Sequence, residues 1–132
     1  MYFGLSEEQS FFKDSVKKYL EDNASLDAIR HIASGDEKNL SKEIHHGFLN
    51  LGVNGLLIPE EFGGLGLDLL FAAVVSESLG SNAGPIAFIA PYVMAPIAIL
   101  AAGNQEQKQR YLTQITSNEI IFGVGFSEFV GR

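Results

Sequence analysis

The chain has 132 residues, no cysteine and a formal net charge of -7 at neutral pH. That length suffices for one domain with its own core, and the lack of cysteine excludes disulfides, thiolate nucleophiles and cysteine-ligated zinc; cytoplasmic residence is the expectation. Only Lys17 and Lys18 are adjacent cations, so the clustered positive charge that nucleic acid demands is absent and no nucleic-acid partner is expected.

The first residues turn acidic at once, without the basic-then-apolar order of a signal peptide. Ser6 followed by Gln9 forms a capping-box pattern, and Phe12, Val16, Tyr19 and Leu20 recur at helical spacing, which predicts a helix over 6–21. Leu26, Ile29 and Ile32 predict a second helix after Ser25, stopped by Gly35. Leu40, Ile44, Phe48 and Leu51 predict a third, stopped by Gly52. Residues 53–59 read as extended and 60–66 as a loop. Asp68 is placed to cap a fourth helix through Phe71, Val75 and Leu79, with Gly80 just past its end. Residues 85–102 read as a helix kinked or split near Pro91 and Pro96, since each proline removes a backbone donor. Asn104 and Gln107 cap a sixth helix, in which Tyr111, Leu112 and Ile115 face inward, and which ends at 116–118. After Glu119 the period changes to that of a strand, with Phe122, Val124 and Phe126 on one face and Gly123, Gly125 and Ser127 on the other.

Charge divides the chain unevenly: between Asp68 and Glu106 only Glu77 is charged, so the second half is expected to lie mostly against protein. Residues 84–103 are about as long as a membrane span. Pro85, Pro91 and Pro96 interrupt them and the stretch is rich in alanine, so burial in protein is the expectation and no membrane span is predicted.

None of the three histidines has the company a catalytic or metal site needs. His45 and His46 are neighbours that point apart on a helix, His31 sits beside Arg30, and no metal site is expected. Gly63-Gly64-Leu65-Gly66 resembles a phosphate cradle only in composition. No lysine follows it, and Asp68 at the helix start would repel an anion, so a structural turn is expected. Glu60 and Glu61 are adjacent and point to opposite sides, which is not a proton-transfer pair. Phe88, Ile89, Tyr92, Val93 and Met94 form an apolar cluster that spacing alone assigns to core, with the lining of an apolar pocket as the other reading. The glycine and serine face of the last segment serves equally for close approach of a flat ring or for ordinary packing against a helix.

The run from Leu51 to Asp68, containing Ile58-Pro59-Glu60-Glu61-Phe62-Gly63-Gly64-Leu65-Gly66, resembles the N-terminal domain of acyl-CoA dehydrogenases. The likeness continues through Glu77-Ser78-Leu79-Gly80 and through 103–112 into Phe126-Ser127-Glu128, and so covers nearly the whole chain. It implies an all-α fold of about six helices over residues 1–118, with 119–132 as the first strand of a middle β-domain cut short, the whole ending just inside that domain as a fragment. It further implies a bacterial-type, FAD-dependent oxidoreductase of fatty acid or lipid catabolism acting on the Cα–Cβ bond of acyl-CoA. FAD would sit between the later domains, and a glutamate beyond residue 132 would be the base, so no residue here is expected to be catalytic and the fragment is not expected to retain FAD. Carried over residue by residue, the flavin contacts fall on Val124, Phe126 and Ser127, with serine where the family has threonine; the divergence after Glu128 affects the last flavin and CoA contacts. The resemblance places Phe88, Tyr92, Val93 and Met94 in the wall of the acyl pocket. Its implied partners are acyl-CoA, the remaining domains of the same enzyme, and further subunits in a homo- or hetero-oligomer. The two rival readings are a non-catalytic helical interaction module and a membrane-associated protein anchored by 84–103.

Overall fold

The computed structural model describes residues 4–35 and 38–125. Six α-helices occur among them: α1 Glu7–Asn23, α2 Leu26–Ser34, α3 Lys38–Leu49, α4 Leu69–Ser81, α5 Ala95–Ala102 and α6 Gln105–Thr116. The all-α expectation holds, and so do the start signals. Ser6 and Gln9 close a reciprocal capping box on α1, and Asn104 and Gln107 do the same on α6. Ser25 accepts from Ala28 N–H at the start of α2, and Gly35, at φ 83°, ends it in the left-handed conformation that favours glycine.

The core forms where α1, α3 and α4 meet. Val16 and Leu20 of α1 are buried against Ile44 and Phe48 of α3 and Phe71, Val75 and Leu79 of α4. Phe12 meets Phe71 edge to face at 5.9 Å, and Lys13 pairs with Glu77 at 2.9 Å on the rim of the same contact. Tyr19 donates its hydroxyl to the carbonyl of Ile44 at 2.8 Å, which ties α1 to α3 where Tyr19 also touches Phe48. Helix α2 packs on α3 and buries no residue fully.

Three elements differ from the sequence reading. Residues 53–59 are not extended: Val53–Gly55 form a 3-10 turn, and Ile58 N–H bonds back to the Gly55 carbonyl at 3.1 Å. A short apolar run has no period of its own to choose helix from strand, and here tight turns bury Val53, Leu56 and Ile58 together. The following loop holds a second 3-10 turn, Glu60–Phe62, and then runs back along the first, with Leu65 N–H to Gly55 O at 2.9 Å and Leu67 N–H to Leu56 O at 2.8 Å. Gly80 lies within α4 and not beyond it; the helix ends a residue later, where Asn82 sends both its backbone and side-chain N–H to Ser78 O.

The split predicted at the prolines takes a particular form. Residues 85–88 are not helical, Ile89–Met94 form a π-helical turn, and α5 follows directly. Proline at 96 cannot donate to the carbonyl four residues back, and its ring crowds that carbonyl. Widening the turn so that Ala95 N–H reaches Ala90 O relieves the crowding without ending the helical path. Beyond α6, residues 120–125 belong to no helix or strand among the described residues.

Candidate functional site

The expected pocket residues sit on the π-helical turn and, for Phe88, just before it, and divide into two sets. Phe88 and Tyr92 turn inward and are buried, their ring centroids 6.4 Å apart, while Val93 and Met94 are only partly buried. Val93 packs against the core with part of its side chain still open, and Met94 is likewise half-buried, above the enclosed Phe88 and Tyr92. Ile89 and Ile97, which the sequence reading left out of the pocket set, are exposed at 48% and 40%. Their recurrence with Val93 at four-residue intervals was the available signal, and it makes one apolar row along the turn and α5.

Tyr92 owes its place to one polar contact, with its hydroxyl 3.0 Å from Nε2 of His45 on α3 and the two rings stacked at 6.0 Å. Burial lowers the His45 pKa, and the neighbouring His46 adds to that; burial also raises the Tyr92 pKa. Both groups are thus held in their neutral forms.

The segment after α6 starts from the flank of this row. Phe122 meets Tyr111 edge to face at 5.5 Å and shares a hollow with Ala98 and Ile99 of α5. Val124 is partly buried. Nothing lies within 4 Å of where a Cβ would stand on Gly123 or Gly125, so their side of the chain is an open strip that a flat ring could lie against. Phe126 and Ser127, the other two expected flavin contacts, and Glu128 lie outside the described residues.

The glycine loop is a structural turn. Asp68 accepts from Leu70 and Phe71 N–H and so occupies the start of α4 with its own carboxylate. The loop is pinned to α6 by Asn54, a buried residue whose amide donates to the carbonyls of Ile115 at 3.0 Å and Thr116 at 2.9 Å, and by Thr116, whose hydroxyl donates to Phe62 O at 3.0 Å. Replacing Asn54 with alanine removes the side-chain donor from the Thr116 carbonyl, while Ile115 O keeps the N–H of Asn118 at 3.1 Å, and should cost about 1–3 kcal/mol in urea unfolding followed by circular dichroism. Glu60, Glu61, His31 and His46 are exposed, and no group of three metal-ligating side chains occurs among the described residues. No helix among those residues is long and apolar enough to cross a membrane.

Residues 6–119 match the family model described as "Acyl-CoA dehydrogenase, N-terminal domain". The chain belongs to the acyl-CoA dehydrogenase family. It is 32% identical over 127 residues to the mitochondrial isovaleryl-CoA dehydrogenase of Bos taurus, covering 95% of this chain and 30% of that protein. Among solved structures, the acyl-CoA dehydrogenase complexed with FAD from Bacillus anthracis superposes with a TM-score of 0.73 at 23% identity, over 89% of this chain and 20% of that one. The ChsE4-ChsE5 complex from Mycobacterium tuberculosis superposes with a TM-score of 0.77 at 20% identity, over 99% of this chain and 33% of that one. The chain thus spans about a third or less of the length of these proteins.

Proposed function

We propose that this acyl-CoA dehydrogenase domain forms one wall of the acyl pocket in an FAD-dependent oxidoreductase that desaturates the Cα–Cβ bond of an acyl-CoA thioester in the cytoplasm. The observation that carries the reading is the apolar row of Ile89, Val93 and Ile97, flanked by the segment that leads to the open Gly123 and Gly125 strip. FAD, when bound against that strip by later domains, would supply the acceptor for hydride from the β-carbon. The contribution of this chain is burial. An apolar wall excludes water from the reacting carbons, and in the low dielectric that results every fixed charge acts more strongly on the α-proton. Val124 belongs to the flavin side of this arrangement, Val93 and Met94 to the acyl side, and Phe88 and Tyr92 to the layer that keeps the wall in shape.

Exposed apolar side chains elsewhere, Phe11 at 75% and Leu69 and Leu70 at 59% and 58%, support a domain covered in part by the rest of the enzyme or by further subunits. The test is colour. Protein made from the complete reading frame should be yellow, and its flavin absorbance should bleach on anaerobic addition of an acyl-CoA. A colourless full-length product, or a yellow one that no acyl-CoA bleaches, would sink the proposal.

A further inference from the structure

The π-helical turn carries Pro91, and Pro96 follows it at the start of α5, so neither position has a backbone N–H to give. At its ends Tyr92 N–H meets Phe88 O at 3.0 Å and Ala95 N–H makes the wide bond to Ala90 O. Its firmest link to another element is the side chain of Tyr92, 1% exposed, whose hydroxyl meets His45 on α3. Among the described residues Tyr92 is also the largest side chain enclosed fully, so moving it moves the turn.

We propose that Tyr92 and His45 are positioning residues for the acyl-facing wall: the hydroxyl donates to a neutral imidazole, and that bond holds Ile89, Val93 and Ile97 in their outward row. The surroundings of His45 favour only that state. Lys42 and His46 flank it on α3, both of them cationic groups when protonated, and the facing segment contributes Pro85, Ile86 and Ala87. Ile121 closes the other side, and among the described residues Tyr92 is the one titratable group brought by a facing element. Among the described residues no carboxylate lines the hollow beside the ring. A proton taken up at Nε2 turns the acceptor into a donor, leaves the buried hydroxyl hydrogen without a partner, and sets a cation beside two others.

The sign follows from linkage. The folded-state pKa of His45 lies below its ordinary value, so as pH falls the unfastened state takes the proton first. The bond's contribution is complete well above about pH 6.5 and is lost as pH drops from there through the folded-state value. The tie itself rests on this geometry alone; its consequence for acyl chains rests on the function proposed above.

The experiment is amide hydrogen exchange on protein made from the complete reading frame, comparing protection factors for residues 89–95 at about pH 8 and about pH 5. In the wild type, protection of the turn should fall about tenfold at the lower pH while α1 and α4 change little. Tyr92→Phe keeps the ring and loses the hydroxyl, so it should show the lower protection at both pH values. His45→Gln replaces Nε2 by an amide oxygen that accepts without titrating, so it should stay protected at both. A wild-type turn indifferent to pH, a Tyr92→Phe protein that exchanges like wild type, or a His45→Gln protein that keeps the pH response would each overturn the proposal. Should His45→Gln loosen α1 as well, the wild-type and Tyr92→Phe series decide the matter between them. A second reading separates the two levels: Tyr92→Phe should raise the KM for acyl-CoA about tenfold with kcat little changed. An inactive, colourless protein that still shows the exchange pattern would reject the activity and leave the tie standing.

Discussion

Gly64→Ala is expected to cost about 3–5 kcal/mol, enough to leave much of the chain unfolded at moderate urea. A Cβ at that position would collide with the carbonyl oxygen of Ile58, and would stand 2.5 Å from its carbonyl carbon and 2.6 Å from its Cβ. Two of those atoms are backbone and none can swing aside. The same crossing is tight from its other side, where a Cβ on Gly55 would stand 3.2 Å from Gly64 Cα. The two passes of the loop are joined by Gly66 N–H to Ile58 O at 2.8 Å, so pushing them apart also breaks their hydrogen bonds. Gly80→Ala is the control. Gly80 lies in α4 with nothing within 4 Å of a new Cβ, so alanine there should stabilise by about 0.5–1 kcal/mol through helix propensity. Urea midpoints by circular dichroism should therefore move in opposite directions, and a Gly64→Ala midpoint equal to wild type would refute the close crossing.

Phe48→Ala should lower stability by a comparable amount, about 3–5 kcal/mol, through the cavity it leaves. Phe48 is fully buried at the junction of α1 and α3, its ring centroid 6.2 Å from that of Tyr19. The space cannot close easily, because Tyr19 is held in place by its bond to Ile44 O at 2.8 Å. Thermal unfolding should fall by about 10–20 °C for alanine and by only a few degrees for leucine, which keeps most of the volume. A loss under about 1 kcal/mol for alanine would mean that α1 and α3 repack freely, contrary to the geometry of Tyr19.

The helix starts were legible because each is a local event. Ser6 with Gln9, Asn104 with Gln107, and Asp68 ahead of an apolar run specify their caps within four residues, and all three bonds form. Burial along the apolar run was not legible. A continuous apolar run does not say which members turn inward: Phe88 and Tyr92 went to the core, while Val93 and Met94 stay half-buried. The π-helical turn, with four-residue spacing between Ile89, Val93 and Ile97, decides that division. His45 read as an isolated histidine because its partner is 47 residues away. Asn54 read as one letter of a family pattern because the carbonyls it caps are 61 and 62 residues on.

Taken alone, the order of residues determined six helices, the start caps of α1, α2, α4 and α6, the glycine-rich turn and the family. All of these depend on groups within a few positions of one another or on a contiguous pattern. Only the tertiary structure decided that residues 53–59 coil into turns, that Tyr92 is fastened to His45, and that Ile89 and Ile97 face outward. Those outcomes depend on partners brought together by packing, where burial of a whole surface outweighs the local preference of any one segment.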